Sequence, residues 1–184
     1  MVDKVLFILM PFNFQDHEFK KPHDALQKAG YHVDVAGLQP GIAKGKMGLE
    51  VTPNLQLATM KNADFDSYTA VVIPGGPGST KYLWDNKQIV ETVRYFAGKK
   101  KLVAAICHGC PVLAQAGILK GKTATTFPSD EAKSEFKKHG VNFIDQGCYI
   151  LPQERIITAQ SPANIAEFIA AILSQLKTNK TKES

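Results

Sequence analysis

The sequence predicts an α/β domain whose core is a doubly wound parallel sheet covered by helices on both faces. Three observations carry this. Short runs of consecutive apolar residues at 5–10, 70–73 and 102–106 have the length and composition of strands buried on both sides. Segments of helical period lie between them, so strands and helices alternate along the chain. Each apolar run leads to a glycine cluster or a polar segment, at the edge where such sheets bind their ligands.

Taken in order, residues 5–10 form the first strand, and a polar loop leads to a helix over 16–29 that Gly30 stops. The next strand is 32–36. Residues 40–54 hold three glycines and short β-prone pieces, the pattern of a small β-hairpin excursion. The strand at 70–73 runs into Pro74-Gly75-Gly76-Pro77-Gly78, and Ile89, Val93 and Phe96 mark one face of the helix that follows. The strand at 102–106 ends in Cys107-His108-Gly109, and a helix over 111–116 closes at Gly117. A strand at 123–125 precedes a helix over 129–139 that Ser129 caps. Short strands near 141–143, 149–151 and 156–158 and a helix over 162–176 complete a single domain, 1–176, with a polar C-terminal tail at 177–184.

Composition narrows the class. The 184 residues are 44% hydrophobic and 21% charged, as in an ordinary globular protein, and no apolar run approaches a membrane span. Asp3 and Lys4 precede only a short apolar stretch with no small-residue cleavage site, which argues against a signal peptide. Three cysteines, at 107, 110 and 148, make no complete disulfide framework and suit a reducing cytoplasm. The net charge of +5 comes from lysine clusters interrupted by acids, a solvated surface. No basic–aromatic interleaving marks specific nucleic-acid binding. The expectation is a cytoplasmic protein with neither membrane nor nucleic acid as partner.

Chemistry concentrates at Cys107. A nucleophile on a strand-to-helix corner sits over backbone N–H groups, which favour a thiolate and offer donors to an oxyanion. The rival reading is a small core hydrophobe, which free cysteine often is. Strand-end polar pairs such as Cys107-His108 are not needed for packing, and this tips the balance toward chemistry. Topology brings three strand ends to one edge, so Glu18, Gly75–Gly76 and Cys107 are candidates to converge. Glu18 is also explained by the dipole of its own helix, and the glycines by an ordinary turn. Opposite a nucleophile, that turn lets backbone N–H groups approach an oxyanion. His108 is either a general base or a ring turned away from its neighbour's thiol. His17 and His23 are six residues apart, off a common helical face, and the thiols are not spaced as a zinc cage, so no metal is expected. Cys107-His-Gly-Cys110 also matches a thiol-exchange motif, but it follows a late central strand, which favours Cys110 as a packed thiol.

Ala-Ala-Ile-Cys107-His108-Gly109, the Pro-Gly-Gly turn, and Glu18 followed by Pro22 together resemble the ThiJ/PfpI superfamily, over residues 4–176. The resemblance implies a flavodoxin-like, class I glutamine amidotransferase-like fold and a site that needs no cofactor. It places Cys107 at the family nucleophile, Glu18 at the carboxyl that contacts it, and His108 at the histidine following the nucleophile in the protease-like branch. Gly75 or Gly76, with the His108 N–H, fall at the oxyanion donors. Three departures stand out. No acid follows the Gly-Gly turn, which reads Pro77-Gly-Ser-Thr80; Phe127 stands where the Parkinsonism-type proteins carry a histidine before proline; and Cys110 replaces the usual proline. The resemblance implies an enzyme of glyoxalase III or deglycase type acting on small reactive carbonyls or glycated substrates in stress protection. A cysteine peptidase of PfpI type and a redox-sensing or holdase stress protein are the alternatives, and a homodimer or higher homo-oligomer is expected.

Overall fold

In the computed structural model, which describes residues 2–180, the apolar runs form the interior of a seven-stranded sheet. The strands in chain order are β1 (Lys4–Leu9), β2 (Phe12–Phe14), β3 (His32–Gly37), β4 (Ala43–Gly45), β5 (Glu50–Val51) and β6 (Leu55–Gln56). After them come β7 (Tyr68–Ile73), β8 (Leu102–Ile106), β9 (Thr123–Ala124), β10 (Asn142–Phe143), β11 (Cys148–Leu151) and β12 (Ile156–Ala159). The helices are α1 (Asp16–Lys28), α2 (Asn62–Phe65), α3 (Ser79–Tyr82), α4 (Lys87–Gly98), α5 (Cys110–Gln115), α6 (Asp130–Lys138) and α7 (Ile165–Lys180).

The main sheet has the order β11-β12-β8-β7-β1-β3-β6, parallel except for the antiparallel edge strand β11. From β1 the chain first winds outward to β3, then returns to β7 on the other side of β1. That reversal opens a crevice beyond the carboxyl ends of β1 and β7, with β8 next to it. Every residue of β8 is fully buried, because helices cover both faces: α7 and α4 both pack on it. This is the mostly parallel, helix-flanked sheet that the sequence predicted.

The excursion is a separate three-stranded sheet, β2-β4-β5, in which β4 and β5 form the expected hairpin. The sequence reading lacked β2 and β6, which at three and two residues are too short to show a period. A buried carboxylate locks the hairpin in place: Asp16, at the start of α1, accepts the Met47 and Leu49 N–H groups, each at 2.8 Å. The strand expected at 123–125 pairs with β10 outside the main sheet. The final helix begins with a 3-10 turn at Pro162–Asn164 and continues to Lys180, four residues into the segment read as a tail. No glycine or proline follows Pro162, so polarity alone gives the helix no stop. Residues 181–184 of that tail lie outside the described residues.

Candidate active site

Cys107 leaves β8 at φ 60°, in the left-handed region that a side chain with a β-carbon rarely adopts. A 3-10 turn, Cys107–Gly109, carries the chain from that corner into α5. The Thr126 hydroxyl donates to the Cys107 carbonyl at 3.0 Å, and the Trp84 indole N–H donates to the His108 carbonyl at 2.8 Å. The surroundings therefore hold a strained residue in place, which is the arrangement of a nucleophile elbow.

The glycine pair is there because backbones cross. A β-carbon on Gly75 would lie 2.7 Å from the Ile106 carbonyl oxygen and 2.8 Å from the His108 nitrogen. At Gly76, with φ 137°, a β-carbon would meet the Asn13 oxygen and Gln15 nitrogen at 2.5 Å. The turn after β7 is thus wedged between the elbow and the residues entering α1. Gln15 completes the join: its N–H donates to the Gly75 carbonyl at 2.8 Å, while its side chain caps α1 by accepting the His17 and Glu18 N–H groups.

Glu18 is fully buried on that first turn. Its Oε2 accepts the Gly75 N–H at 2.9 Å, its Oε1 has no nitrogen or oxygen partner, and the Cys107 thiol is its side-chain neighbour. An unpaired buried carboxylate oxygen is costly, so burial favours the protonated carboxyl. Burial pushes Glu18 up to about 7, against the opposing effects of the Gly75 N–H, the Cys107 contact and the Lys46 charge. Asp34 shows the contrast. Burial works to raise it too, but hydrogen bonds from Tyr68, Asn54 and His32 prevail and hold it below the ordinary carboxylate range.

The expectation of a thiolate-favouring corner needs correction. Cys107 is 5% exposed, and burial, followed by the neighbouring Glu18 charge, pushes its thiol well up. The His108 N–H hydrogen bond opposes this but is outweighed, and α5 is a helix of only six residues. The Gly75 assignment changes as well, since its N–H is committed to Glu18. Gly76 is left as a candidate N–H donor to an oxyanion, with His108, whose N–H bonds the Cys107 sulfur in the resting site.

His108 faces the thiol: Nδ1 lies 3.7 Å from Sγ. Its ring packs on Phe127 with centroids 4.8 Å apart, and Nε2 is 3.1 Å from the Ser129 hydroxyl. Burial lowers its pKa, partly offset by the charge of Glu131. Cys110 is fully buried and turned toward the Ala159 carbonyl, 3.5 Å away, rather than toward Cys107. Neither His17 nor His23 joins the site; the His23 ring packs against Phe7 and Phe19. The sequence reading thus named Cys107, His108 and Glu18 and missed Ser129, Trp84, Thr126 and Gln15. Ser129 did stand out as a helix cap, but no local pattern says which neighbour a cap reaches. Clefts of about 470 Å³ around Tyr68 and 370 Å³ beside Phe19 are not lined by Cys107.

The chain belongs to the DJ-1/PfpI family, whose model matches residues 3–175. It is 39% identical over 176 residues to an uncharacterized protein of Methanocaldococcus jannaschii, covering 96% of this chain and 83% of that one. It is 31% identical over 169 residues to protein/nucleic acid deglycase 2 of Escherichia coli, covering 91% of this chain and 94% of the relative. Among solved structures, a ThiJ/PfpI domain protein from Brachyspira murdochii superposes with a TM-score of 0.87 at 26% identity, over 96% of this chain and 98% of that one. No helix among the described residues is long and apolar enough to cross a membrane.

Proposed function

We propose that this protein is a cysteine-dependent, cofactor-free enzyme of glyoxalase III or deglycase type that acts on reactive carbonyls in stress protection. The observation that carries the reading is the buried carboxyl of Glu18, at about 7, in contact with the Cys107 thiol. Near neutral pH such a group is part proton donor and part acceptor, the condition for moving protons in both directions. The deglycase name of the Escherichia coli relative supports an activity of deglycase type.

With methylglyoxal as substrate, the Cys107 sulfur adds to the aldehyde carbon as Glu18 takes the thiol proton. That proton passes to the new oxygen and gives a hemithioacetal. Glu18 then removes the proton on the former aldehyde carbon, and reprotonation at the neighbouring carbon leaves the thioester of lactate. Water cleaves the thioester, releasing lactate and restoring the thiol. The Gly76 and His108 N–H groups hold the oxyanion in the addition and in the hydrolysis. Methylglyoxal consumption with formation of lactate, in the absence of glutathione, is the expected result. No turnover at any pH from 5 to 9 would sink the proposal.

Two observations weigh against the alternatives. A peptidase needs an acid to orient its histidine, whereas Nε2 of His108 meets the Ser129 hydroxyl. A peroxide sensor needs an exposed thiol of low pKa, whereas burial holds Cys107 up.

A homodimer or higher homo-oligomer is part of the proposal. Phe12, Ile42 and Met47 are 43%, 50% and 61% exposed, and all three belong to the excursion beside the site. Such apolar groups gathered on one protrusion suit contact with a second copy. Light scattering is expected to give at least twice the chain mass of 20.1 kDa, and a strict monomer at micromolar concentration would refute it.

A further inference from the structure

We infer that Ser129 is a positioning residue for His108: Cys107, His108 and Ser129 form one hydrogen-bonded chain, with a hydroxyl in the place where a triad carries a carboxylate. This deepens the proposed reading, because it concerns how the histidine beside the reactive thiol is set. The contacts are few and specific. Nδ1 faces Sγ at 3.7 Å, and Nε2 faces the Ser129 oxygen at 3.1 Å. The ring also meets Phe127, 4.8 Å away, which has no polar atom, and Trp84, 6.2 Å away, whose N–H is committed to the His108 carbonyl.

A serine oxygen has one proton to give and two lone pairs. The Ala132 N–H, at 3.2 Å, takes one lone pair in capping α6. The hydroxyl proton and the second lone pair remain for His108. When the hydroxyl donates to Nε2, the proton of the neutral imidazole sits on Nδ1 and points at sulfur. When Nε2–H donates to the hydroxyl instead, Nδ1 offers its lone pair to the thiol. Ser129 accommodates both tautomers without adding charge. A carboxylate would lock Nε2–H and favour the imidazolium. A cap is fully explained by the Ala132 contact, so the Nε2 contact calls for a second role. The ionisable groups that act on this chain are Glu131 from α6 on His108, Glu18 from α1 and Cys110 on Cys107, and Lys46 of the excursion on Glu18.

The test compares Ser129→Ala, Ser129→Asn and Ser129→Asp with wild type in the full-length protein. Two quantities are read against pH: the rate of Cys107 alkylation by iodoacetamide, and the His108 ring titration by NMR. Asn and Asp both preserve the cap, but with Oδ1 capping, the Asn amide can only donate to Nε2, whereas Asp can only accept. The two should therefore split. Ser129→Asp is expected to raise the His108 titration by about one unit, and Ser129→Asn is not. Ser129→Ala is expected to slow alkylation at pH 7 about tenfold, the worth of one net hydrogen bond. If Asn and Asp both give wild-type profiles, or all three variants do, Ser129 is only a cap and the inference falls. Neither readout needs a carbonyl substrate, so loss of the enzyme proposal would register separately, as an inactive wild type.

Discussion

Cys107→Ala is expected to lower methylglyoxal turnover at least about a thousandfold while leaving the protein folded. The proposed hemithioacetal and thioester both need a sulfur at this corner. No substitute is at hand, since Cys110 is fully buried and turned to the Ala159 carbonyl. The same position carries a separate stability signature. At φ 60° the cysteine backbone is strained, and alanine inherits that strain while glycine escapes it. Cys107→Gly should therefore be more stable than Cys107→Ala by about 1 kcal/mol, the reverse of the usual ranking of these two residues. Denaturant melts check the ranking. Equal stabilities, or a glycine variant weaker than alanine, would mean that the elbow stores no strain. Turnover that persists in purified Cys107→Ala would remove the cysteine from the mechanism.

The fold was legible where burial leaves the sequence little choice. Residues of β1, β7 and β8 are covered on both faces, so consecutive apolar side chains are the only solution and they read as strands. The site was legible as to its corners, since Glu18, Gly75, Gly76 and Cys107 all follow core strands and a parallel sheet delivers them to one edge. What failed to show is what depends on distance. The Gly75 N–H binds Glu18 across 57 positions, and Ser129 reaches His108 across 21. Nothing in the local period of either segment encodes such a pairing. The thiol's electrostatics were misjudged for a related reason. The sequence shows a strand-to-helix corner, and the resemblance sets Glu18 against its thiol, but neither shows how deeply Cys107 is buried, and burial is what outweighs the N–H groups of the turn.

Glu18→Gln is expected to make the protein more stable and less active, and the two effects should separate with pH. The carboxyl sits at about 7 in the fold against its ordinary 4.5, so the folded state keeps a proton that the unfolded chain releases. The stability this confers is fully present below 4.5 and is lost as pH rises through about 7. Glutamine has the same shape, still accepts the Gly75 N–H, and carries no charge to bury. At pH 8 the variant should therefore exceed wild type by up to about 3 kcal/mol, from a shift of roughly two and a half units, and the gap should close near pH 4.5. Turnover should move the other way, by about a hundredfold or more, because an amide neither takes the thiol proton nor carries it between carbons. In wild type the rate should climb with pH through about 7 as Glu18 ionises, and that limb should be missing in the variant. Chemical melts at pH 4.5 and 8 and a pH–rate profile check both halves. Equal stability at pH 8 would show that burial does not hold the carboxyl protonated, while an unaltered pH–rate profile would assign the proton transfer to another group. Both effects together would mark Glu18 as a residue whose stability cost at neutral pH is tied to what it does for the thiol.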